Sequence, residues 1–434
     1  MTDDVRLPES ARLRERAASL VPAWTHTLSK NPTQWMQGIA PAFLARGAGA
    51  HVWDVDGNRY VDLPMALGPI ILGHAHPVVT EAITKQLQDG ITFTLPHPIE
   101  LEVAELVLDR VPGVERIRFG KTGSDATSAA VRLARAVTGR DHVLAAGYHG
   151  WHDWFIATTT RDLGVPAAVK ELSGTFPYGD LEGLRERLEA RRGLVAAVVL
   201  EPSGAEVPAD GYLQGVIDLA HEHGALVVFD EVITGFRLGR GGAQERYGVQ
   251  ADLVAFGKAL GNGMPISALA GRAEHMDVLN DVFFSGTHGG EILSLAAARA
   301  TLGVLDADAY ARLYSAGAWL RARVEVSVAT HDLSHLVSVS GEDPRTLVLV
   351  SEPDGADGLW AKSLVQQEMA RRGVLYNGNN FICLAHSDED LEQVADAYDA
   401  GFSALARGLS SGGAAGVLAL LEADALSPAF RAVR

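Results

Sequence analysis

The sequence has almost no cysteine, no long hydrophobic run and a deficit of positive charge, and each absence excludes a class of protein. Cys383 is the single cysteine among 434 residues, so an intrachain disulfide is impossible and a reducing cytoplasm is the expected compartment. The first ten residues are acidic and lack the basic-then-apolar pattern of a secretory signal. No apolar run approaches the roughly 18 residues of a membrane span. A formal net charge of −17 disfavours nucleic acid and anionic membranes as partners.

The middle of the chain, from about residue 115 to residue 310, alternates short apolar runs with amphipathic stretches. Continuously apolar runs are typical of strands that are buried on both faces. We therefore predict an α/β fold with a mostly parallel central sheet flanked by helices. The clearest predicted strands are 117–119, 143–146, 195–200, 225–229 and 253–256, and the clearest helices between them are 126–138 and 213–223.

The two ends of the chain have a different pattern. Two alternating runs around Asp56-Gly57 predict a β-hairpin, which follows a charged helix and belongs to an N-terminal segment, residues 1–64. We expect this segment to pack with a smaller α+β domain, residues 311–409, beside a large domain, residues 65–310. Ser410 to Gly413 are predicted to be a flexible linker, and Ala414 to Ala425 a final helix, within a last segment of residues 410–434.

Two of the predicted strands end in residues that can do chemistry. Lys258 follows the strand that ends at Phe256, and Asp230 follows the strand that ends at Phe229. In open α/β sheets, ligands bind at the carboxyl ends of the strands, so we expect the amine and the carboxylate to share one pocket. This pair suits pyridoxal 5'-phosphate (PLP), because the amine can form a Schiff base and the acid can keep the pyridine nitrogen protonated.

A phosphate site is predicted where the strand ending at Phe119 leads into a helix. Gly123 lets the backbone approach an anion closely, and Ser124 adds a hydroxyl at the helix N-terminus. The same residues are equally suited to a plain capped helix. Thr287, in a glycine-rich turn before a later helix, is either a second phosphate contact or only a cap.

Aromatic and histidine residues follow the strand at 143–146. The ring of Tyr148 could stack on the pyridine of the cofactor. His149 and His152 also invite interpretation as a metal site, but no cysteine or carboxylate cluster completes a coordination set. We therefore predict no metal and keep a metal hydrolase only as a competing class.

The ordered motifs of residues 35 to 405 resemble class III, fold-type I PLP aminotransferases, and the branch they resemble most is that of glutamate-1-semialdehyde aminomutase. The resemblance implies that Lys258 is the Schiff-base lysine, that Asp230 is the pyridinium partner and that Val232 packs on the ring. It also implies a homodimer in which Thr287 reaches the phosphate of the neighbouring subunit. The motifs that carry it are Trp53-Asp54-Val55-Asp56-Gly57-Asn58, Leu72-Gly73-His74-Ala75-His76-Pro77, Thr122-Gly123-Ser124, Arg132-Leu133-Ala134-Arg135, Tyr148-His149-Gly150, Glu201-Pro202, Asp230-Glu231-Val232, Phe236-Arg237, Gly257-Lys258 and Gly286-Thr287.

Departures from the aminomutase pattern bear on the substrate. Gln34 stands where aminomutases have an arginine for the substrate carboxylate, and Glu206 stands near the position of an asparagine beside the cofactor's phenolic oxygen. Because an unpaired buried carboxylate is costly, we predict a substrate without a carboxylate beside the reacting carbon, such as an amino sugar or an aminoglycoside precursor. We expect Gln34 and His149 to contact this substrate. The alternatives are the aminomutase itself, a PLP-dependent epimerase, and a PLP-fold regulator without turnover.

Overall fold

The computed structural model describes residues 6–352 and 359–427. Its strands are β1 (Leu44–Ala48), β2 (His51–Asp54), β3 (Arg59–Asp62), β4 (Arg116–Gly120), β5 (His142–Ala146), β6 (Ser173–Thr175), β7 (Val195–Leu200), β8 (Leu226–Glu231), β9 (Leu253–Phe256), β10 (Ser267–Gly271), β11 (Val337–Glu342), β12 (Arg345–Val350), β13 (Val374–Leu375) and β14 (Asn379–Phe381). Its helices are α1 (Pro8–Leu20), α2 (Pro77–Asp89), α3 (Pro98–Leu108), α4 (Gly123–Thr138), α5 (Asp153–Ile156), α6 (Ala167–Glu171), α7 (Leu181–Ala190), α8 (Tyr212–Glu222), α9 (Gly242–Tyr247), α10 (Ala273–Met276), α11 (Ile292–Val304), α12 (Ala307–Thr330), α13 (Trp360–Arg371), α14 (Asp388–Gly412) and α15 (Ala414–Leu418).

The chain divides into two compact units. The large unit comprises Gly68–Ile70 and Pro77–Tyr310. The terminal unit comprises the described residues up to Leu67, the short stretch Ile71–His76 and the described residues between Ala311 and Ser427. Segments from both ends of the chain thus fold into one unit.

The large unit is built on one sheet with the strand order β4-β10-β9-β8-β7-β5-β6. β10 runs antiparallel to both of its neighbours, and the other strands run parallel to one another. β7, β8 and β9 are buried along their whole length, which explains their continuous apolar sequences. This sheet confirms the predicted α/β fold, and it brings the carboxyl ends of the parallel strands to one edge.

Helix α4 is the element that the site depends on most. A reciprocal capping box joins Thr122 and Asp125 at its start, and Gly139, in the left-handed conformation at φ 67°, ends it. Its buried face, which includes Ala130, Leu133 and Ala134, packs in the main core cluster together with residues of β5, β7 and β8. The cap fixes where the helix starts, and therefore fixes the position of its first backbone amides.

The terminal unit contains two smaller sheets. One has the order β1-β2-β3-β13, in which β13 from late in the chain pairs in parallel with β3 of the early hairpin. The other has the order β11-β12-β14 and is antiparallel. Early and late parts of the chain therefore share one sheet.

Two predictions for the last part of the chain are wrong. Ser410, Ser411 and Gly412 belong to α14, so the predicted linker is helical except for Gly413. The helix that follows ends at Leu418 rather than near Ala425. Close packing explains the longer helix, because a Cβ on Gly408 would lie 2.8 Å from Cγ2 of Val417. This tight contact between α14 and α15 overrides the low helix propensity of the serine and glycine residues.

Within the described residues, no helix has both the length and the apolar character that crossing a membrane requires. The same part of the chain contains no group of three or more His, Cys, Asp or Glu side chains that could hold a metal ion.

Candidate active site

Lys258 and Asp230 are brought together by neighbouring parallel strands. Asp230 on β8 pairs with Ala255 on β9, and Lys258 follows the end of β9. The side chain of Asp230 is buried. Lys258 has a φ of 41°, a left-handed backbone conformation that is unusual for a residue with a side chain. Strain of this kind is concentrated at functional sites, where the surrounding structure holds it in place.

His149 is buried against Asp230. Its Nδ1 lies 2.8 Å from Oδ2 of Asp230, and its Nε2 lies 3.0 Å from the carbonyl oxygen of Ala146. The ring stacks on Trp154 at a centroid distance of 6.0 Å. Because a carbonyl oxygen can only accept, Nε2 is the donor to Ala146, while Nδ1 faces the carboxylate of Asp230. Both ring nitrogens are thus engaged within the protein, and the predicted contact of His149 with the substrate stays a prediction.

Asp230 also accepts a hydrogen bond from its own strand end. The backbone amide of Val232 donates to Oδ1 of Asp230 over 3.1 Å, so each carboxylate oxygen has a donor. The side chain of Val232 packs tightly on the start of α4 and near the residue before the lysine. A Cβ on Gly123 would lie 2.9 Å from Cγ1 of Val232, and a Cβ on Gly257 would lie 3.3 Å from it. Val232 therefore joins the predicted phosphate site to the lysine.

Ser124 is buried beneath the loop that follows β5. Its Oγ accepts a hydrogen bond of 3.3 Å from the amide of Trp151. Gly150, at φ 101°, leaves no room for a side chain, because a Cβ there would lie 2.2 Å from the same oxygen. The first turn of α4 and the loop that carries Tyr148 and His149 are therefore in direct contact.

Tyr148 is half exposed, and its ring lies edge-on to Phe155 at a centroid distance of 5.4 Å. Its backbone amide donates to Oε1 of Glu201 over 2.9 Å. Partial burial raises the pKa of the Tyr148 hydroxyl, and the negative charges of Asp230 and Glu201 raise it further. Glu201 belongs to the motif Glu201-Pro202, and the sequence alone indicated no role for it. The structure shows that it holds the Tyr148 loop.

Glu206 and Thr287 are exposed residues of the large unit. Glu206 is exposed in the loop after β7, with Oε2 3.8 Å from the point that a Cβ on Gly179 would occupy. Thr287 is exposed and lines a cavity of about 880 Å³ together with Lys121 and Asp125, which flank the start of α4. The predicted cofactor contacts of Glu206 and Thr287 stay predictions, as does the contact of Thr287 with a partner subunit.

Gln34 belongs to the terminal unit, where it ends the 3-10 turn Pro32–Gln34. Its side-chain Nε2 donates to the carbonyl oxygen of Ser427 over 2.7 Å. This contact spans almost the whole length of the sequence and could not be predicted from it.

The comparison with protein families decides the identity of the chain. The model of the family described as aminotransferase class-III matches residues 34–341, which is more than half of the sequence. The chain is a class III aminotransferase. Enzymes of this family use PLP, and the residues of this aminotransferase at the edge of the sheet are suited to hold it.

Known relatives agree with this assignment. The aminotransferase is 38% identical to a glutamate-1-semialdehyde 2,1-aminomutase of Roseiflexus castenholzii over 84% of its own length and 90% of the relative. Among solved structures, the FumI protein of Sphingopyxis sp. MTA144, which contains PLP, matches with a TM-score of 0.84 and 30% identity, over 93% of this chain and 97% of that one. A glutamate-1-semialdehyde aminomutase of Pseudomonas aeruginosa matches with a TM-score of 0.81 and 25% identity, over 92% and 95% of the two chains. The predicted family, the fold type and the PLP cofactor are confirmed.

Proposed function

We propose that this enzyme moves an amino group with PLP held covalently on Lys258. The observation that carries the proposal is the position of Lys258 one strand away from the buried carboxylate of Asp230. Bound PLP supplies an electron sink that stabilises a carbanion next to the amine nitrogen of the substrate. The Lys258 amine would then move the proton between the substrate carbon and the cofactor.

Several other residues suit the parts of the cofactor. Glycine at position 123 leaves room for the side chain of Val232, because a Cβ there would lie 2.9 Å from Cγ1 of Val232. The first amides of α4 and the hydroxyl of Ser124 would donate hydrogen bonds to the phosphate. Tyr148 and Val232 would face the two sides of the pyridine ring. Asp230, supported by His149, would hold the pyridine nitrogen in its protonated form.

The role of Lys258 can be tested by chemical trapping. We expect the purified protein to be yellow and Lys258→Ala to abolish the borohydride-reducible link to PLP. Lys85→Ala, which changes an exposed lysine on α2, is the matched control and should keep the link. If Lys258→Ala still forms a reducible PLP adduct on another lysine, the assignment is wrong.

For the substrate, the names of the relatives support one candidate. Because relatives of this aminotransferase at 35–38% identity are called glutamate-1-semialdehyde 2,1-aminomutases, the isomerisation of this amino aldehyde is the first activity to test. In that reaction the amino group moves between two carbons of one substrate. The names favour this candidate over the amino-sugar prediction.

A second candidate is favoured by Gln34. A neutral amide lies at the position where the aminomutases are expected to have arginine. Its Nε2 already donates a hydrogen bond to the carbonyl oxygen of Ser427. A substrate with hydroxyl or amine groups instead of a carboxylate, such as an amino sugar, fits this residue better.

One comparison separates the two candidates. The values of kcat/KM for glutamate-1-semialdehyde and for a polyhydroxylated amine are measured with the unmodified enzyme and with Gln34→Arg. If Gln34 meets the substrate, Gln34→Arg should shift the preference towards the carboxylate by about 10- to 150-fold, since a charge-assisted hydrogen bond contributes about 1.5–3 kcal/mol. Efficient conversion of the semialdehyde by the unmodified enzyme would establish the aminomutase candidate.

We also propose that the active enzyme is a homodimer in which the exposed loop of Thr287 contributes to the partner's phosphate site. Thr287→Ala should then weaken the retention of PLP. Sedimentation of the active holoenzyme as a monomer would refute this proposal.

A further inference from the structure

Lys362 differs from the other lysines of the chain in its surroundings. The sequence contains only six lysines, which are Lys30, Lys85, Lys121, Lys170, Lys258 and Lys362. Lys30 and Lys85 are exposed. Lys121 and Lys170 form ion pairs with carboxylates, and Lys258 is the proposed cofactor lysine. Lys362, in the terminal unit, is partly buried, and among the described residues it has no carboxylate within 4.0 Å and no hydrogen-bond acceptor. Its amine is therefore unpaired.

The position of Lys362 on its helix is also unfavourable for a positive charge. Lys362 lies in the first turn of α13, which begins at Trp360. Because helical side chains lean towards the N-terminus of their helix, its amine points back to the end that carries a positive partial charge. Burial lowers the pKa of the Lys362 ammonium, and no charged group contributes to this shift. Burial and the helix dipole thus both favour the neutral amine, which is the nucleophilic form.

The acidic residue at the start of α13 does not neutralise this amine. Oε1 of Glu352 accepts a hydrogen bond from the backbone amide of Ala361 over 3.2 Å, and its Oε2 is buried without a hydrogen-bond partner. Burial raises the pKa of Glu352 to about 7, and only the bond from Ala361 opposes this shift. An ammonium close to Glu352 would lower this pKa, so the two side chains form no ion pair. The first turn of α13 does, however, bind a carboxylate through one of its amides.

Glycine at position 378 leaves the neighbouring amine without a side chain packed against it from this direction. Gly378 has a φ of 107°, a conformation that favours glycine. A Cβ at this position would lie 3.4 Å from Nζ and 3.8 Å from Cε of Lys362. A small uncharged molecule can approach the nitrogen here, whereas a charged reagent would have to give up its hydration.

We propose that Lys362 is a binding site for carbon dioxide, with which its amine forms a carbamate. The nitrogen lone pair attacks the carbon of CO2, and an N–C bond forms as one C–O π bond opens. The negative charge moves to the carboxylate oxygens, and the nitrogen releases one proton to water. The product places an anion at the end of a helix that disfavours a cation and favours an anion.

Other electrophiles suit this position less well. An aldehyde would form an imine, which can be protonated and would then keep a positive charge at the same helix end. An acyl group would leave a neutral amide, which gains nothing from the helix dipole. CO2 is small and uncharged, and its adduct acquires a negative charge. The inference goes beyond amino transfer and does not depend on it, because Lys362 lies in the terminal unit and its reaction does not involve PLP.

The test is chemical trapping in the full-length holoenzyme. The protein is equilibrated with isotopically labelled bicarbonate as the source of CO2, and triethyloxonium ions convert any carbamate into a stable ethyl carbamate. Peptide mass spectrometry then locates the label. We expect the label on Lys362 and not on the exposed Lys30 and Lys85, which are internal controls in the same sample. Lys362→Arg should lose the label, whereas Lys85→Arg should keep it on Lys362.

The unfolding temperature reports the change of charge at the helix end. Bicarbonate should raise the unfolding temperature of the unmodified protein by about 1–3 °C relative to CO2-free buffer of the same ionic strength. Lys362→Arg should show no such rise. Lys362→Glu, which carries a permanent carboxylate, should unfold at a higher temperature than Lys362→Arg in both buffers.

Three results would overturn the inference. They are the absence of label on Lys362, equal labelling of Lys362 and the two exposed lysines, and an equal rise in unfolding temperature for Lys362→Arg and the unmodified protein. Because the label is located in the unmodified protein, the inference is tested even when a variant fails to fold. The proposed function is tested separately by the trapping of PLP on Lys258, so the two can fail independently.

Discussion

The hydrogen bond between His149 and Asp230 leads to a prediction in which two similar substitutions have different effects. Nδ1 of His149 lies 2.8 Å from Asp230, and Nε2 lies 3.0 Å from the carbonyl oxygen of Ala146. The amide nitrogen of asparagine can take the place of Nδ1, and that of glutamine can take the place of Nε2. His149→Asn can therefore keep a donor to Asp230, whereas His149→Gln keeps only the donor to Ala146.

The magnitude follows from the charge on Asp230. A hydrogen bond to a charged group contributes about 1.5–3 kcal/mol, so His149→Gln should lower the rate of amino transfer by about 10- to 150-fold. His149→Asn should lose less, because a neutral donor remains beside the carboxylate. The rate is measured in a single turnover from the change in absorbance between the pyridoxal and pyridoxamine forms.

The pH titration of the visible absorbance of bound PLP separates an electrostatic role from a structural one. If His149 acts through Asp230, the spectrum of His149→Gln should change with pH differently from that of His149→Asn. Equal rates and equal titrations for the two variants would refute this reasoning, even if both variants were less stable than the unmodified protein.

Three further predictions concern neighbouring residues. Asp230→Asn should keep much of the PLP but lower the single-turnover rate by about 10²–10³-fold, and a nearly unchanged rate would rule out its role. Gly123→Ala should weaken PLP retention during gel filtration, because its Cβ would lie 2.9 Å from Val232, whereas Gly303→Ala, with no atom within 4 Å, should have no effect. Burial raises the pKa of Glu231 to about 7 despite hydrogen bonds from backbone amides, so its protonated form is favoured in the folded state. Its contribution to stability is therefore present below the unfolded pKa of 4.5 and is lost as the pH rises through about 7. The unfolding temperature of Glu231→Gln should fall less over this range than that of the unmodified protein, and parallel curves would contradict the assignment.

The strands of the large sheet could be predicted because they are apolar throughout. The predicted bounds 195–200 and 253–256 agree with β7 and β9. The antiparallel strand β10 was not predicted, because its sequence of small residues, Ser267–Gly271, has no long apolar run and continues from a glycine-rich loop. Its place between β4 and β9 depends on pairing with strands that are distant in the sequence, which no local pattern reveals.

The side chains around Lys258 could be predicted only in part. Strand ends indicated that Asp230 and Lys258 share an edge of the sheet. The direction of His149, however, depends on the backbone at Gly147 and Gly150, which have φ values of 107° and 101°. Sequence alone suggested a substrate or metal contact for His149, because it could not show which way the ring points.

Family membership and substrate choice depend on different parts of this chain. The family match covers residues 34–341, which include Lys258, Asp230 and the other predicted cofactor contacts. It ends before α13, which holds the backbone of Gln34, and before Ser427, which holds its side chain. The cofactor chemistry can therefore be inherited from the family, while the orientation of the Gln34 amide is set by residues outside the match. For this reason the name of a relative predicts the cofactor more securely than the substrate, and the preference between a carboxylate and a hydroxyl has to be measured on this enzyme itself.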